Sequence, residues 1–198
     1  MKKFIYIIFA LAPTPFVYSQ ATLNGNMSFN GKNFRITTVY TESETAYEIK
    51  AMHEGQEYVT KFIPNPALKQ IKILSQTPSG NLEHSYSMNE VTVEENLSTE
   101  GLMARKTEET KTIAGVTCTK ILAQTKNGNQ AEIWYYDNGF PIDKYKDIYK
   151  SDIAVQSLSA LGLNGIPMEV QLTNAEGYSL MSISTREFSK TADSSFLK

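Results

Sequence analysis

The stretch "GVTCTKILAQTKNGNQAEIWYYD" (residues 115–137) predicts two β-strands joined at Asn127-Gly128. It also holds the only cysteine of the chain, Cys118, and its only tryptophan, Trp134. Both segments beside the turn are rich in β-branched and aromatic residues, which is typical of strands. The stretch therefore predicts an antiparallel hairpin, and it raises the question of which side chains face the interior.

A two-residue turn at Asn127-Gly128 would fix the pairing of this hairpin. Ile121 would then lie opposite Trp134 and Thr119 opposite Tyr136, all on one face. Both faces are apolar in the middle of the hairpin and polar towards its tip. A sheet that is covered on both faces, or curved around a helix or a cavity, gives such a pattern.

Cys118 allows two interpretations. A reactive cysteine needs a histidine, a cation or a helix N-terminus nearby to lower the pKa of its thiol. The alternative is a small side chain packed in a strand, because free cysteine is among the most buried residue types. The sequence favours packing. A single cysteine cannot form an intrachain disulfide, although pairing between chains remains open.

Turn signals recur along the chain. Asn-Gly occurs five times and suits the type I′ turns that join antiparallel strands. The predicted strands are 33–41, 45–52, 56–63, 69–76, 82–88, 116–125, 130–136, 166–174 and 178–188. Residues 89–114 are the most polar region and suit a loop, a short helix or ragged edge strands. No repeat or linker divides the chain, so we expect a single β-rich domain over residues 20–198.

One helix is predicted against this background, over residues 151–161. Ser151 is a plausible N-cap, and Asp152 would lie in the first turn, where the helix dipole favours an acid. Apolar residues recur at helical spacing up to Leu161, and Gly162 is suited to end the helix. Its outward positions carry no charge after Asp152, which predicts a helix that the rest of the domain covers.

The first nineteen residues predict a secretory signal peptide. Lys2 and Lys3 precede an apolar run that is too short to span a bilayer, and residues 17–19 form a tolerable cleavage site. Export to the periplasm or beyond is therefore expected, with no transmembrane segment. The net charge of −2 falls to −4 on cleavage because two lysines and no acids are removed. This acidic balance argues against nucleic-acid binding, which needs clustered Lys and Arg.

Motifs of catalysis and metal binding are missing from the sequence. There is no G-x-S-x-G, no H-E-x-x-H, no P-loop and no dinucleotide fingerprint. Two histidines and one cysteine give no metal-ligand spacing, so no cofactor is predicted. The protein is expected not to be an enzyme. A hydrolase remains the least favoured alternative, and it would need His53 or His84 beside a serine or an acid in a cleft.

The C-terminal half resembles a family of exported bacterial proteins whose domain has no described function. The resemblance covers residues 112–196, and its features are Ala114-Gly115 before Cys118, Trp134 in the next strand, Gly165-Ile166-Pro167 at the start of a strand, and Asp193 with Phe196. That family is similar to the LolA/LppX-like lipoprotein-carrier fold. The resemblance implies a mainly β (α+β) protein: a curved antiparallel sheet, or half-open barrel, with one short helix (151–161) packed on its concave side.

The sequence favours a soluble exported module that binds a lipid or another hydrophobic ligand. The predicted pocket is lined by Ile121, Trp134, Tyr136, Leu158, Leu161, Met168 and Val170. An ordinary packed core would use the same residue types. The alternative function is an envelope protein with a structural or protein-binding role, which the eleven tyrosines support because tyrosine is enriched at interfaces.

Overall fold

The computed structural model describes residues 20–41, 44–87, 97–193 and 196. These residues form one open, curved sheet of eleven antiparallel strands with a single short α-helix, the predicted fold class. The strands are β1 (Ala21–Phe29), β2 (Lys32–Tyr40), β3 (Thr45–His53), β4 (Gln56–Asn65), β5 (Gln70–Thr77), β6 (Gly80–Ser87), β7 (Met103–Ile113), β8 (Val116–Gln124), β9 (Gln130–Tyr136), β10 (Ile166–Thr173) and β11 (Ser179–Ser189). A 3-10 turn (Ile142–Tyr145) precedes the helix α1 (Ile153–Ala160). The predicted signal peptide lies outside the described residues.

Two meanders build the sheet. The strand order is β6-β5-β4-β3-β2-β1-β11-β10-β9-β8-β7, so the two ends of the domain meet where β1 pairs with β11. Every neighbouring pair is antiparallel. Among the described residues, β6 and β7 are the two open edges of the sheet.

The two faces of the sheet differ in polarity. Directly opposed residues on neighbouring strands share a face, and successive residues of a strand alternate between faces. One row of opposed residues on the first face is Ile121, Ile133, Val170, Ile183, Met27 and Phe34. The adjacent row on the second face is Lys120, Trp134, Glu169, Ser184, Asn26 and Arg35. We call these the apolar face and the polar face.

The apolar face carries the core. Helix α1 packs against β7, β8 and β10 and against the 3-10 turn. Its side chains Ile153, Ala154 and Leu158 are buried in one cluster with Ile121 and residues of β9 and β10. A covered apolar face of this kind is the standard way in which a sheet removes its hydrophobic side from water.

Helix α1 is shorter than the predicted range and has a different N-cap. Asp152, not Ser151, caps it: the carboxylate Oδ1 of Asp152 accepts hydrogen bonds from the backbone N–H of Ala154 at 2.9 Å and of Val155 at 3.0 Å. The carboxylate satisfies two free N–H groups at once, which explains why the N-cap is one residue later than predicted. The C-terminal end is as predicted. Gly162 has a φ of +64°, and the bonds that close the end form a Schellman motif.

The hairpin of β8 and β9 differs from its predicted pairing by one residue. Lys120 lies opposite Trp134, and Ile121 lies opposite Ile133. The loop is longer than two residues, because the Thr125 N–H bonds the Asn129 carbonyl and only Gly128 has a positive φ, of +84°. This is a type I turn followed by a left-handed glycine rather than a type I′ turn. The extra residue moves Trp134 to the face opposite Ile121.

All nine predicted strands are present, and two further strands were not predicted. Strand β1 carries Asn24-Gly25, which resembles a turn signal but lies inside the strand. Gly25 faces an irregularity in the pairing with β11, where a Cβ atom on Gly25 would stand 2.2 Å from the Ser184 carbonyl oxygen. Strand β7 lies in the polar region 89–114, for which the sequence allows a loop, a short helix or ragged edge strands. Its many charges suit an edge position.

The C-terminal segment lies on the polar face of the other meander. Thr22 donates a hydrogen bond to the Thr191 carbonyl at 2.9 Å and accepts one from the Asp193 N–H at 3.3 Å. The ring of Phe196 lies 4.6 Å from the Lys61 ammonium. Asp193 and Phe196, two residues of the predicted resemblance, thus contact the sheet.

Candidate functional site

Five of the seven predicted pocket residues come together. Ile121, Leu158, Met168 and Val170 are buried in the cluster beneath α1, and Leu161 packs against it from the helix C-cap. Two grooves of the described part of the chain are lined by none of these residues. The five belong to one packed apolar cluster, and their role in ligand binding stays a prediction.

Trp134 lies on the polar face, beneath a network of charged side chains. The ammonium groups of Lys111 and Lys120 lie 4.3 Å and 5.5 Å from the centre of its ring, and its indole N–H donates a 2.8 Å hydrogen bond to Glu132. Lys111 also pairs with Glu169. Only 8% of Trp134 is exposed, so the lysine stems cover the ring from solvent.

Lys120 and Glu132 stabilise each other's charged forms in this network. Their ammonium and carboxylate groups are 2.9 Å apart, and Glu109 lies 3.2 Å from the same ammonium. The hydrogen bond from Lys120 lowers the pKa of Glu132, and the bond to Glu132 raises the pKa of Lys120. Tyr136, the other predicted pocket residue away from the helix, packs edge-on against Phe188 with their ring centres 5.5 Å apart.

The apolar face continues beyond the helix as a surface that is only half-buried. The residues of this surface lie on β1 to β5. Some of them continue the buried row that runs through Met27, and the others lie in the adjacent rows of the same face. We call these residues the open strip: Met27, Phe34, Ile36, Ile49, Phe62 and Ile73. Six large apolar side chains on one face exceed the scattered exposure that is normal for a protein surface.

Aromatic rings mark the border between the covered core and the open strip. Tyr47 stacks on Phe62 with 4.5 Å between ring centres and lies 6.2 Å from Tyr149. Tyr149 stacks in turn on Tyr145 at 6.1 Å, and Tyr145 stacks on Phe140 at 5.7 Å. These residues are not among the seven predicted pocket residues. The alternation of apolar residues around Tyr47 and the four-residue spacing of Tyr145 and Tyr149 were the available signals.

The helix cap Asp152 lies close to this aromatic border. Burial raises the pKa of its carboxyl group, although the two backbone hydrogen bonds act in the opposite direction. Burial also raises the pKa of Tyr145 to about 12. It raises the pKa of Tyr47 and of Tyr149 as well, and the charge of Asp152 makes a smaller contribution to both. The aromatic border therefore consists of neutral tyrosine side chains close to the buried carboxyl group of Asp152.

Cys118 is a packed residue, as the sequence favoured. Its side chain is fully buried in β8, with the thiol 3.7 Å from the Val116 carbonyl oxygen. Burial raises the pKa of the thiol to about 11, which is the opposite of what a nucleophilic cysteine needs.

Both histidines lie on open surface. His53 is 73% exposed at the end of β3, and its nearest acid, Glu54, is 3.9 Å away and 85% exposed. His84 lies on the exposed edge strand β6, where its ring contacts Tyr86. Within the described ranges, neither histidine therefore lies beside a serine or an acid in a cleft.

Two open grooves lie outside the region beneath α1, and the larger borders the core at Ala123 and Ala131. The larger, about 550 Å³, lies at the tip of the β8–β9 hairpin and includes Leu122, Glu132 and Gln171 of the polar face. The smaller, about 500 Å³, lies around Arg35, Lys50 and Arg186. No group of three or more potential metal ligands occurs within the described ranges. No helix in this part of the chain has the length and apolar character to cross a membrane.

The fold and this site define a mainly β protein with one open curved sheet, a helix-covered core and a half-buried apolar strip. No family model matches the sequence, and no curated protein sequence matches it. The predicted membership of an exported family therefore stays a prediction.

Solved structures with a similar fold include MucB, MucB in complex with MucA(peri), and the MucA/MucB complex of Pseudomonas aeruginosa. Their TM-scores are 0.38 to 0.39 at 7% to 8% identity, over 90% to 91% of this chain. The chain spans 52% to 57% of their length. At this distance no property of MucB is transferred to this chain.

Proposed function

We propose that the protein is an exported binding module that takes up a lipid or another hydrophobic ligand on the open strip. The observation that carries the proposal is the continuity of the apolar face. The row that begins at Ile121 beneath α1 runs through Met27 to Phe34, and neighbouring rows of the same face continue the strip to β5, where no described element buries it fully. Apolar surface left open in this way marks an interaction site.

The border of the strip supports the same function. Tyr47 and Phe62 present stacked rings beside Tyr149, so an acyl chain on the strip would end against an aromatic wall. Aromatic and aliphatic linings with a few polar groups are typical of small-molecule sites. The phenol groups of this wall supply hydrogen-bonding atoms next to the apolar surface.

Lipid analysis of the natively extracted protein tests the ligand class. We expect a lipid or another hydrophobic molecule to co-purify in a fixed ratio and to be identified by mass spectrometry. Purified protein should also bind a fluorescent fatty acid in solution. Protein that carries no such molecule after gentle extraction and does not bind the fatty acid would contradict the proposal.

A matched pair of variants tests the place of binding. Ile49→Ser removes an apolar side chain from the strip, whereas Val59→Ser makes a similar change at a half-buried position of the polar face. We expect Ile49→Ser to weaken fatty-acid binding by about five- to thirtyfold, because a buried aliphatic side chain contributes roughly 1–2 kcal/mol. Val59→Ser should leave the affinity unchanged. Equal losses in both variants would place the ligand elsewhere.

A further inference from the structure

In the part of the chain that the structure describes, strand β6 is an open edge that carries few of the features that usually prevent pairing. Among the described residues it pairs with β5 alone, over eight residues without a bulge. Two large apolar side chains stand out from it, Leu82 at 56% and Tyr86 at 44% exposure. The strand contains no proline and no lysine, which are the residues that commonly blunt such edges.

The opposite edge of the sheet shows the contrast. Strand β7 carries five charged side chains, and its pairing with β8 is interrupted between Lys106 and Thr110. Charges and bulges of this kind prevent an edge from adding another strand. One edge of the sheet is therefore protected and the other is not.

Three residues of β6 have backbone groups that form no bond to β5, the strand's described neighbour. The β5–β6 hairpin has a two-residue loop closed by Thr77 and Gly80, and such a closing pair exchanges hydrogen bonds. Because bonded and non-bonded pairs alternate in an antiparallel ladder, the backbone groups of Asn81, Glu83 and Ser85 point away from β5. These are the donors and acceptors that an added strand would use.

We propose that β6 pairs with β6 of a second copy of this chain, antiparallel and about a two-fold axis at His84. This proposal does not depend on lipid binding. Leu82 then lies opposite the partner's Tyr86, and Glu83 lies opposite the partner's Ser85. Leu82, His84 and Tyr86 share the apolar face with Ile73, so pairing joins the apolar faces of the two copies.

Charge favours this self-pairing. Glu83 is the only Asp, Glu, Lys or Arg in β6, and it forms an ion pair with Lys72 of β5 at 2.9 Å. The two-fold register sets Glu83 against a serine, so the two acids do not face each other. Pairs of opposed like charges, which would disfavour the dimer, are thus avoided.

Sedimentation analysis of the mature chain over a wide concentration range tests the dimer. We expect weak reversible dimerisation in the micromolar range, since a single strand pair buries less than a standard interface. Ser85→Pro removes an outward N–H without touching a bond to β5, and His84→Lys places two ammonium groups face to face. Each variant should weaken dimerisation at least tenfold. Thr112→Pro, the matched change at an outward position of β7, should leave it unchanged.

Oxidative crosslinking gives a second, geometric test. The two-fold axis sets the Cα atoms of His84 and the partner's His84 about 4.5 Å apart, within the range of a disulfide. We expect His84→Cys to form a covalent dimer under mild oxidation and Leu82→Cys to form none, since Leu82 faces the partner's Tyr86. A chain that stays monomeric at all concentrations, or equal crosslinking by the two variants, would overturn the proposal.

Discussion

At the scale of single residues, Trp134 shows how one extra loop residue changes an interpretation. The predicted two-residue turn pairs it with Ile121. The observed loop has three residues, 126–128, between the bonded residues Thr125 and Asn129, and it places Lys120 opposite Trp134 instead. Lys111 and Lys120 then cover the indole ring with their stems. The single tryptophan therefore reports on the polar face of the sheet.

The fluorescence of Trp134 tests this arrangement. Lys111→Ala removes the closest cover, so we expect the emission of the folded protein to shift to the red as water reaches the indole. Lys126→Ala removes a lysine from an exposed pair with Glu100 and should leave the spectrum unchanged. Because the chain has one tryptophan, the signal is unambiguous. An unshifted emission spectrum for Lys111→Ala would contradict the conclusion that the Lys111 side chain shields Trp134 from water.

Gly25 is required for the close approach of β1 to β11. A Cβ atom there would stand 2.2 Å from a backbone oxygen, so Gly25→Ala must displace one of the two strands. We expect a loss of about 1–3 kcal/mol in the free energy of unfolding, as for other overpacked positions. Chemical denaturation measures it. Ser28→Ala, on the same strand, is the control, and a loss of similar size there would argue against the steric cause.

At the scale of elements, α1 is defined by its two ends. Asp152 satisfies two backbone N–H groups, and the Schellman motif at Gly162 satisfies carbonyl groups at the other end. The helix has only eight residues, too few to be stable alone, so its caps and its packing on the apolar face hold it in place.

Replacement of the N-cap separates its hydrogen bonds from its charge. Asp152→Ala loses both bonds, and we expect it to lower the free energy of unfolding by about 1–2 kcal/mol. Asp152→Asn keeps the accepting oxygen and should cost much less. Thermal unfolding at a fixed pH measures both. Equal losses would show that the carboxylate charge, rather than the hydrogen bonds, stabilises the helix.

The raised pKa of Asp152 also predicts how the stability difference between the wild type and Asp152→Asn depends on pH. A carboxyl group whose pKa is higher in the folded chain contributes stability below its unfolded pKa of about 3.8, and this contribution is lost as pH rises through the folded pKa. Asp152→Asn cannot ionise. Relative to the wild type, we therefore expect this variant to become more stable as the pH rises from acid to neutral. A pH-independent difference would contradict the raised pKa.

At the scale of the whole molecule, the aromatic border joins the two meanders. Tyr47 belongs to one meander, whereas Tyr145 and Tyr149 precede α1 in the other. Burial keeps these phenols neutral, and Tyr40 beside Phe140 extends the cluster. Charging the cluster should therefore separate the helix segment from β2 and β3.

Alkaline titration tests this coupling. Phenols with a raised pKa contribute stability below their unfolded pKa near 10, and it is lost as the pH rises towards about 12, the folded pKa of Tyr145. We expect the tyrosinate absorbance of the cluster to appear together with loss of the β-sheet signal in circular dichroism. Tyr149→Phe keeps the ring and should move the transition to higher pH. Full ionisation of a folded chain would contradict the coupling.

Much of the fold was predictable because the signals are local. Nine strands and α1 follow from alternation, turn residues and helix periodicity within short windows, and Gly162 ends the helix as its sequence indicates. Strand β1 was missed because Asn24-Gly25 is a turn signal in isolation. Only its contact with β11, at the far end of the chain, makes a glycine necessary inside a strand.

The sequence by itself determined the class of protein: an antiparallel β domain with a buried cysteine, one capped helix and apolar residues enough for a core. The tertiary structure alone decided which face each side chain occupies, because a one-residue change in pairing reverses every side chain of a strand. It placed Trp134 beneath lysines, left the open strip beside the helix and set β6 at an edge. The face of Trp134 depends on the length of one loop, which the Asn-Gly signal does not specify. The position of the open strip beside the helix depends on the pairing of β1 with β11, which are distant in sequence.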